Sequence, residues 1–173
     1  MDDKSRAGQP AGLLRRLAAL FYDSLLVIAL AFVATFAMLP LAHGEAILVS
    51  TQGALAHAYH AVILVIVFAY FGWCWTRSGQ TLGMRAWRLE LQDAGGRKLG
   101  WPAAIERFLL GTGIAVLAAL GAWYLRRPDN GLQSAGAAAL LAPLVLNYAW
   151  VRVDRAGRSL QDLAGRARVL RRG

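Results

Sequence analysis

The chain has one cysteine among its 173 residues, which excludes an internal disulfide and any metal site built on a cysteine pair. Cys74 reads as a small buried hydrophobe. Charge is scarce as well. Only 17% of residues are Asp, Glu, Lys or Arg, against roughly 25% in a soluble domain. Histidine occurs three times, as His43, His57 and His60, and all three fall in one short stretch. The serines Ser24 and Ser159 therefore have no histidine at a matching depth, and a hydrolase triad is not expected. No G-x-x-x-x-G-K-[ST] run occurs, so GQTLG at 79–83 reads as a turn and not as a phosphate-binding loop. These absences leave no catalytic residue and no cofactor site to name, and an enzyme is not expected.

What the chain has in excess is apolar sequence. Hydrophobic residues make up 57% of it, and the mean hydropathy is +0.43. Four apolar runs stand out, at about 17–39, 55–75, 108–125 and 135–151. Each is near or within the roughly 17–25 residues that a spanning helix needs. The expected fold is an all-α membrane protein of four transmembrane helices, arranged as two hairpins in a single domain over 1–173. Span one exceeds the hydrophobic core of a signal peptide and lacks an A-x-A site near its end, so it reads as an uncleaved first helix.

The net charge of +9 raises the possibility of nucleic acid, but its distribution points to a membrane. Of the 19 Lys and Arg residues, loop 40–54 has none and loop 126–134 has only Arg126 and Arg127. All the others lie in the N-terminal tail, segment 76–107 or the C-terminal tail. The positive-inside rule then puts both termini and segment 76–107 in the cytoplasm. The expected partners are the bilayer and its anionic lipids, together with a second copy or a partner membrane protein. Nucleic acid is not expected.

Between spans two and three, WRLELQ (87–92) alternates apolar and polar residues, and DAGGR (93–97) supplies a turn. That pattern predicts a small cytoplasmic β-hairpin over 85–101. Pro102 fits the first turn of the next helix. Residues 1–12 read as a flexible cytoplasmic tail. Residues 152–173 read as a basic cytoplasmic tail that either lies on the membrane or supplies a strand to the hairpin. In span three, Gly111 and Ala115 have a small-xxx-small spacing that lets helices approach closely.

Asp23 is the only ionisable residue in the first span. A carboxylate in such a place is costly and normally faces protein or trapped water. Arg16 lies seven residues earlier, within about 20° of the same helix face and about 10.5 Å along the axis. A direct bond between them is a stretch, so Asp23 is expected to meet another group at its depth, such as Arg107, or to be reached through water. The site reads either as a proton or cation site or as a structural pin. Asp162 has Arg158 and Arg166 at i−4 and i+4, which alone reads as helical charge pairing. His43, His57 and His60, with Glu45, form a weaker candidate metal set.

Three motifs together resemble the RDD family of small bacterial integral membrane proteins. They are R-x₆-D from Arg16 to Asp23, RSGQTLGMRAWRLELQDAGGRKLGW at 77–101 and RSLQDLAG at 158–165. The family is named for one Arg and two Asp, which by motif position would be Arg16, Asp23 and Asp162. Met84 departs from the pattern, since Lys is common there, and the number of spans varies within the family. The resemblance implies a membrane protein for which transport has been suggested, with cation–proton exchange attributed to some members. It also implies that Arg16, Asp162 and the 80–85 loop meet at the inner membrane face. It brings no catalytic residues.

Overall fold

The computed structural model describes residues 9–42, 49–126 and 132–172. Six helices and two short strands follow in the order α1 (Leu13–Met38), α2 (Val49–Arg77), α3 (Leu82–Ala86), β1 (Leu89–Asp93), α4 (Trp101–Tyr124), α5 (Leu132–Val153), α6 (Leu160–Ala164) and β2 (Ala167–Arg171). A 3-10 turn at Leu39–Ala42 follows α1, where Pro40 cannot continue the helix. Four helices are long and apolar enough to cross a membrane: Leu13–Met38, Gly53–Arg77, Trp101–Tyr124 and Ala135–Val153. Their large apolar side chains, such as Phe32, Phe36, Leu109 and Val145, are mostly exposed on the isolated chain. A soluble protein would bury such a surface, whereas a bilayer covers it.

α1 packs on α2, α2 on α4, and α4 on α5. Phe68 and Phe71 of α2 meet Phe108 of α4 with ring centroids 5.1 and 6.4 Å apart. α4 comes close to α5 at Gly121, where an added Cβ would lie 3.0 Å from Leu141 Cγ and 3.1 Å from Leu140 Cβ. Gly111 faces α6 instead, with an added Cβ only 2.7 Å from Gln161 Oε1. The small-residue spacing in span three thus makes room for a short helix at Gly111, and the close crossing of long helices lies ten residues further along.

The predicted hairpin over 85–101 is corrected by the structure. β1 forms where the alternation predicts it, with Leu89 and Leu91 buried. The turn after it also forms, with Asp93 Oδ1 accepting from the backbone N–H groups of Gly95 and Arg97, both at 2.8 Å. The partner strand, however, is β2 from the C-terminal tail. It runs antiparallel, with Leu89 opposite Arg171 and Asp93 opposite Ala167. Only residues 98–100 remain between the turn and α4, too few to face a five-residue strand. Of these, Leu99 is turned into the core and Gly100 is already the N-cap of α4. The tail offers five extended residues with Ala167 and Val169 pointing inward.

The start of the described chain joins the same sheet. Pro10 bridges Leu170, the Ala11 N–H donates to the Val169 carbonyl at 3.0 Å, and the Arg171 N–H donates to the Gln9 carbonyl at 2.7 Å. β2 therefore lies between β1 and residues 9–11. One apolar core unites this cap: Ala11, Ala19, Trp75, Met84, Leu89, Leu91, Leu99, Ala104, Phe108, Ala167 and Val169. It seals the end of the bundle where α1 and α4 begin and α2 and α5 end. The sheet alone would be marginal, and these contacts with the long helices hold it in place.

Candidate functional site: two carboxylates under the cap

Asp162 sits at the third position of α6 and has no solvent exposure. Ser159 is the N-cap, and the two residues form a reciprocal capping box. The Asp162 N–H donates to Ser159 Oγ at 3.3 Å, and the Ser159 N–H donates to Asp162 Oδ2 at 2.9 Å. Asn147 of α5 accepts from the Gln161 N–H at 3.2 Å, so a third orphan donor of this short helix is met.

Two guanidiniums close on the same carboxylate. Arg16 Nη1 of α1 donates to Oδ2 at 2.5 Å, and Arg107 Nη1 of α4 donates to Oδ1. Each of the other two Arg16 nitrogens also has a partner, with Nε donating to the Ala11 carbonyl at 3.1 Å and Nη2 to the Gly157 carbonyl at 2.6 Å. Arg107 lies over the Trp75 ring at 5.1 Å, a cation–π contact. Both arginines are buried, at 8% and 7% exposure. Burial alone would push the Asp162 carboxyl upward, but the Arg107 and Arg16 charges and the Ser159 N–H hold it down at about 2.

That depression has a sign that can be tested. A carboxyl lowered from 3.8 to about 2 contributes stability that is fully present above pH 4. The contribution is lost as pH falls through the folded value, and amounts to roughly 2 kcal/mol. Acid titration followed by thermal melting in detergent should show the cap weakening between pH 4 and pH 2, and an Asp162→Asn chain should lack that component.

Asp23 lies elsewhere, 4% exposed, and its partners are all neutral. Oδ2 accepts from the Thr81 hydroxyl at 2.5 Å. Oδ1 accepts from the Gly83 N–H at 2.9 Å and from the Tyr70 hydroxyl at 3.1 Å. The direction of each bond is fixed by a second one. Thr81 Oγ1 accepts from the Met84 N–H at 3.1 Å as the N-cap of α3, and Tyr70 Oη accepts from the Leu82 N–H at 3.1 Å. Both hydroxyl protons are therefore left for Asp23. Among the described residues, Asp23 thus accepts three hydrogen bonds, from two hydroxyls and one backbone N–H.

The GQTLG turn is what delivers these donors. Gly79 has φ +72°, a conformation that favours glycine, and its carbonyl accepts from the Leu91 N–H at 2.7 Å. Gln80 Nε2 donates to the Leu89 carbonyl at 2.6 Å. The turn is thereby stitched to β1 while Thr81 starts α3 against α1. Thr81→Val should remove both the N-cap and the bond to Asp23, at a cost of about 2 kcal/mol. Thr81→Ser should melt close to wild type, because it keeps the hydroxyl.

The residues singled out from sequence thus form two sites and not one cluster. Arg16, Arg107 and Asp162 come together. Asp23 meets neither arginine and is held by Tyr70, Thr81 and Gly83; Thr81 and Gly83 belong to the 80–85 loop that the resemblance places with Arg16 and Asp162. The helical phase relating Arg16 to Asp23 is retained, but each reaches a different part of the cap. Arg158 does not pair with Asp162 either; its Nε and Nη2 both donate to Asp154 at 3.0 Å. The signals for the missed residues were the paired glycines around Thr81 and the S-x-x-D spacing of Ser159 and Asp162.

Of the candidate metal set, His43 and Glu45 lie outside the described residues. His57 and His60 are exposed on α2, and His60 Nδ1 lies 2.6 Å from the Ala56 carbonyl oxygen. Among the described residues no group of three His, Cys, Asp or Glu is arranged to hold a metal ion.

The family model for the RDD family matches residues 10–166, from the strand-like start of the chain to the end of α6. The chain belongs to the RDD family. No curated protein and no solved structure matches it. The match spans both carboxylate sites, and with the four apolar helices it marks a multi-pass membrane protein. Met84 is buried in the cap core, and an apolar side chain suits that position.

Proposed function

We propose that this RDD protein is a structural or accessory membrane module that assembles with a partner membrane protein, its Arg and Asp residues locking a cap over one end of the bundle. The observation that carries this reading is that each buried carboxylate accepts three hydrogen bonds from the protein itself. Asp162 ties α1, α4 and α6 together, and Asp23 ties α1 and α2 to the loop that starts α3. The cap lies on the side where nearly all Lys and Arg are found, so it faces the cytoplasm of a bacterial inner membrane by the positive-inside rule.

A second reading, transport of a proton or cation, is favoured by one feature. The donors around Asp23 are all neutral, so an arriving cation would meet a carboxylate with no arginine to displace. Purified protein in liposomes separates the two. The lock reading predicts that wild-type flux under Na⁺, K⁺ or H⁺ gradients equals that of empty liposomes, and that Asp23→Asn lowers the melting temperature. Flux abolished by Asp23→Asn at unchanged stability would establish the transport reading instead.

A further inference from the structure

A groove of about 520 Å³ lies between the start of α1 and the end of α5, lined by Pro10, Ala11, Gly12, Leu13, Leu14, Arg15, Val151, Arg152 and Gly157. Its chemistry is divided. Leu13, Leu14 and Val151 are apolar, and Leu14 is 81% exposed. Arg15 and Arg152 supply two guanidiniums, and neither has a hydrogen bond or ion pair with another described residue. Among the described residues, no acidic side chain lines the groove. The first turn of α1 opens into it without a side-chain cap and without an acidic residue, so the orphan N–H groups there add to the positive potential. The groove lies where two membrane-length helices, α1 and α5, begin and end on the same side of the bundle, and helix ends of a spanning bundle fall near the headgroups.

We propose that this groove holds the headgroup of an anionic phospholipid, with its phosphate between Arg15 and Arg152 and its chain against Leu13, Leu14 and Val151. Guanidinium groups bind phosphate oxygens in a bidentate manner, and free helix N-termini accept the same anion. A free phosphate would satisfy the arginines but leave Leu13 and Leu14 uncovered; a phospholipid serves both. The floor of the groove includes Ala11 and Gly157, whose carbonyls are held by Arg16. The site is thus continuous with the Arg16–Asp162 lock. It depends on the long helices spanning the membrane, not on whether the protein transports anything.

The test uses the full-length protein in neutral detergent, titrated with phosphatidylglycerol, phosphatidylcholine or inorganic phosphate, with melting temperature as the readout. Phosphatidylglycerol should raise the melting temperature saturably and phosphatidylcholine should not. The pair change Arg15→Gln with Arg152→Gln should weaken the apparent affinity for phosphatidylglycerol by about 10- to 30-fold. Arg126→Gln, at the other end of α4, should leave it unchanged. Native mass spectrometry of the same samples should retain the lipid on wild type and lose it from the pair variant, so a fold change in that variant does not mask the result. An equal shift with phosphatidylcholine, an undiminished affinity in the pair variant, or full stabilisation by inorganic phosphate would overturn the proposal.

Discussion

Asp162→Ala should destabilise the cap by about 3–5 kcal/mol, the largest effect expected of any single side-chain removal here. The change leaves Arg16 and Arg107 buried, unpaired and facing one another across the vacated site. It also removes the acceptor for the Ser159 N–H and so half of the capping box of α6. Melting in detergent should fall sharply, and trypsin should gain access to the C-terminal strand at Arg168 and Arg171. The cost comes from isolated charges and not from a large net gain in the intact triad, because desolvating three ions offsets much of their attraction. A triple change, Arg16→Met with Asp162→Leu and Arg107→Met, should therefore recover most of the loss. Failure of the triple change to recover stability would show that the bonds from Arg16 to the Ala11 and Gly157 carbonyls carry more of the lock than the ion pairs do.

Gly83→Ala should be nearly as damaging, through sterics alone. An added Cβ would collide with the carbonyl oxygen of Ala19 in α1 and lie 2.9 Å from the Asp23 carboxyl carbon. The obstruction is helix backbone, which cannot rotate away, so α3 has to retreat from α1. Overpacking of this kind costs about 1–3 kcal/mol and occasionally more. Retreat also stretches the bonds from Thr81 and Gly83 to Asp23. The expected outcome is a melting temperature at or below that of Thr81→Val. Gly95→Ala, in the exposed turn after β1, provides the contrast: an added Cβ there lies 3.3 Å from Asp93 Oδ1, the side-chain atom that organises the turn. It should have a much smaller effect. If Gly83→Ala melts like wild type, α3 is not clamped to α1.

The long helices were legible because hydropathy is a local property, and each apolar run became a helix. The alternation in WRLELQ was legible for the same reason, and β1 formed there. Its partner was legible only as one of two alternatives for the C-terminal tail, a membrane-surface segment or a strand, and the tail forms the strand. β2 lies at the far end of the chain, and two inward residues as small as Ala167 and Val169 give little periodic signal. The same limit applies to the sites. Arg16 and Asp162 are 146 residues apart, so only the family resemblance linked them. Asp23 was recognised as costly, and a charged partner was the obvious expectation. Its actual partners are two hydroxyls and a backbone N–H, groups that carry no charge pattern. Thr81 and Gly83 were visible only as parts of a turn, and what the turn does depends on where β1 holds it.

The central claim is that the buried carboxylates hold the cap closed over the bundle. It is tested most directly by amide hydrogen exchange of β1 and β2 in wild type and Asp162→Asn, at one pH and in one detergent. The account predicts that Leu89–Asp93 and Ala167–Arg171 lose protection together by at least tenfold in the variant, while the interiors of α2 and α4 exchange as in wild type. Strands that stay fully protected in Asp162→Asn would contradict it, because the cap would then be held by something other than the carboxylate.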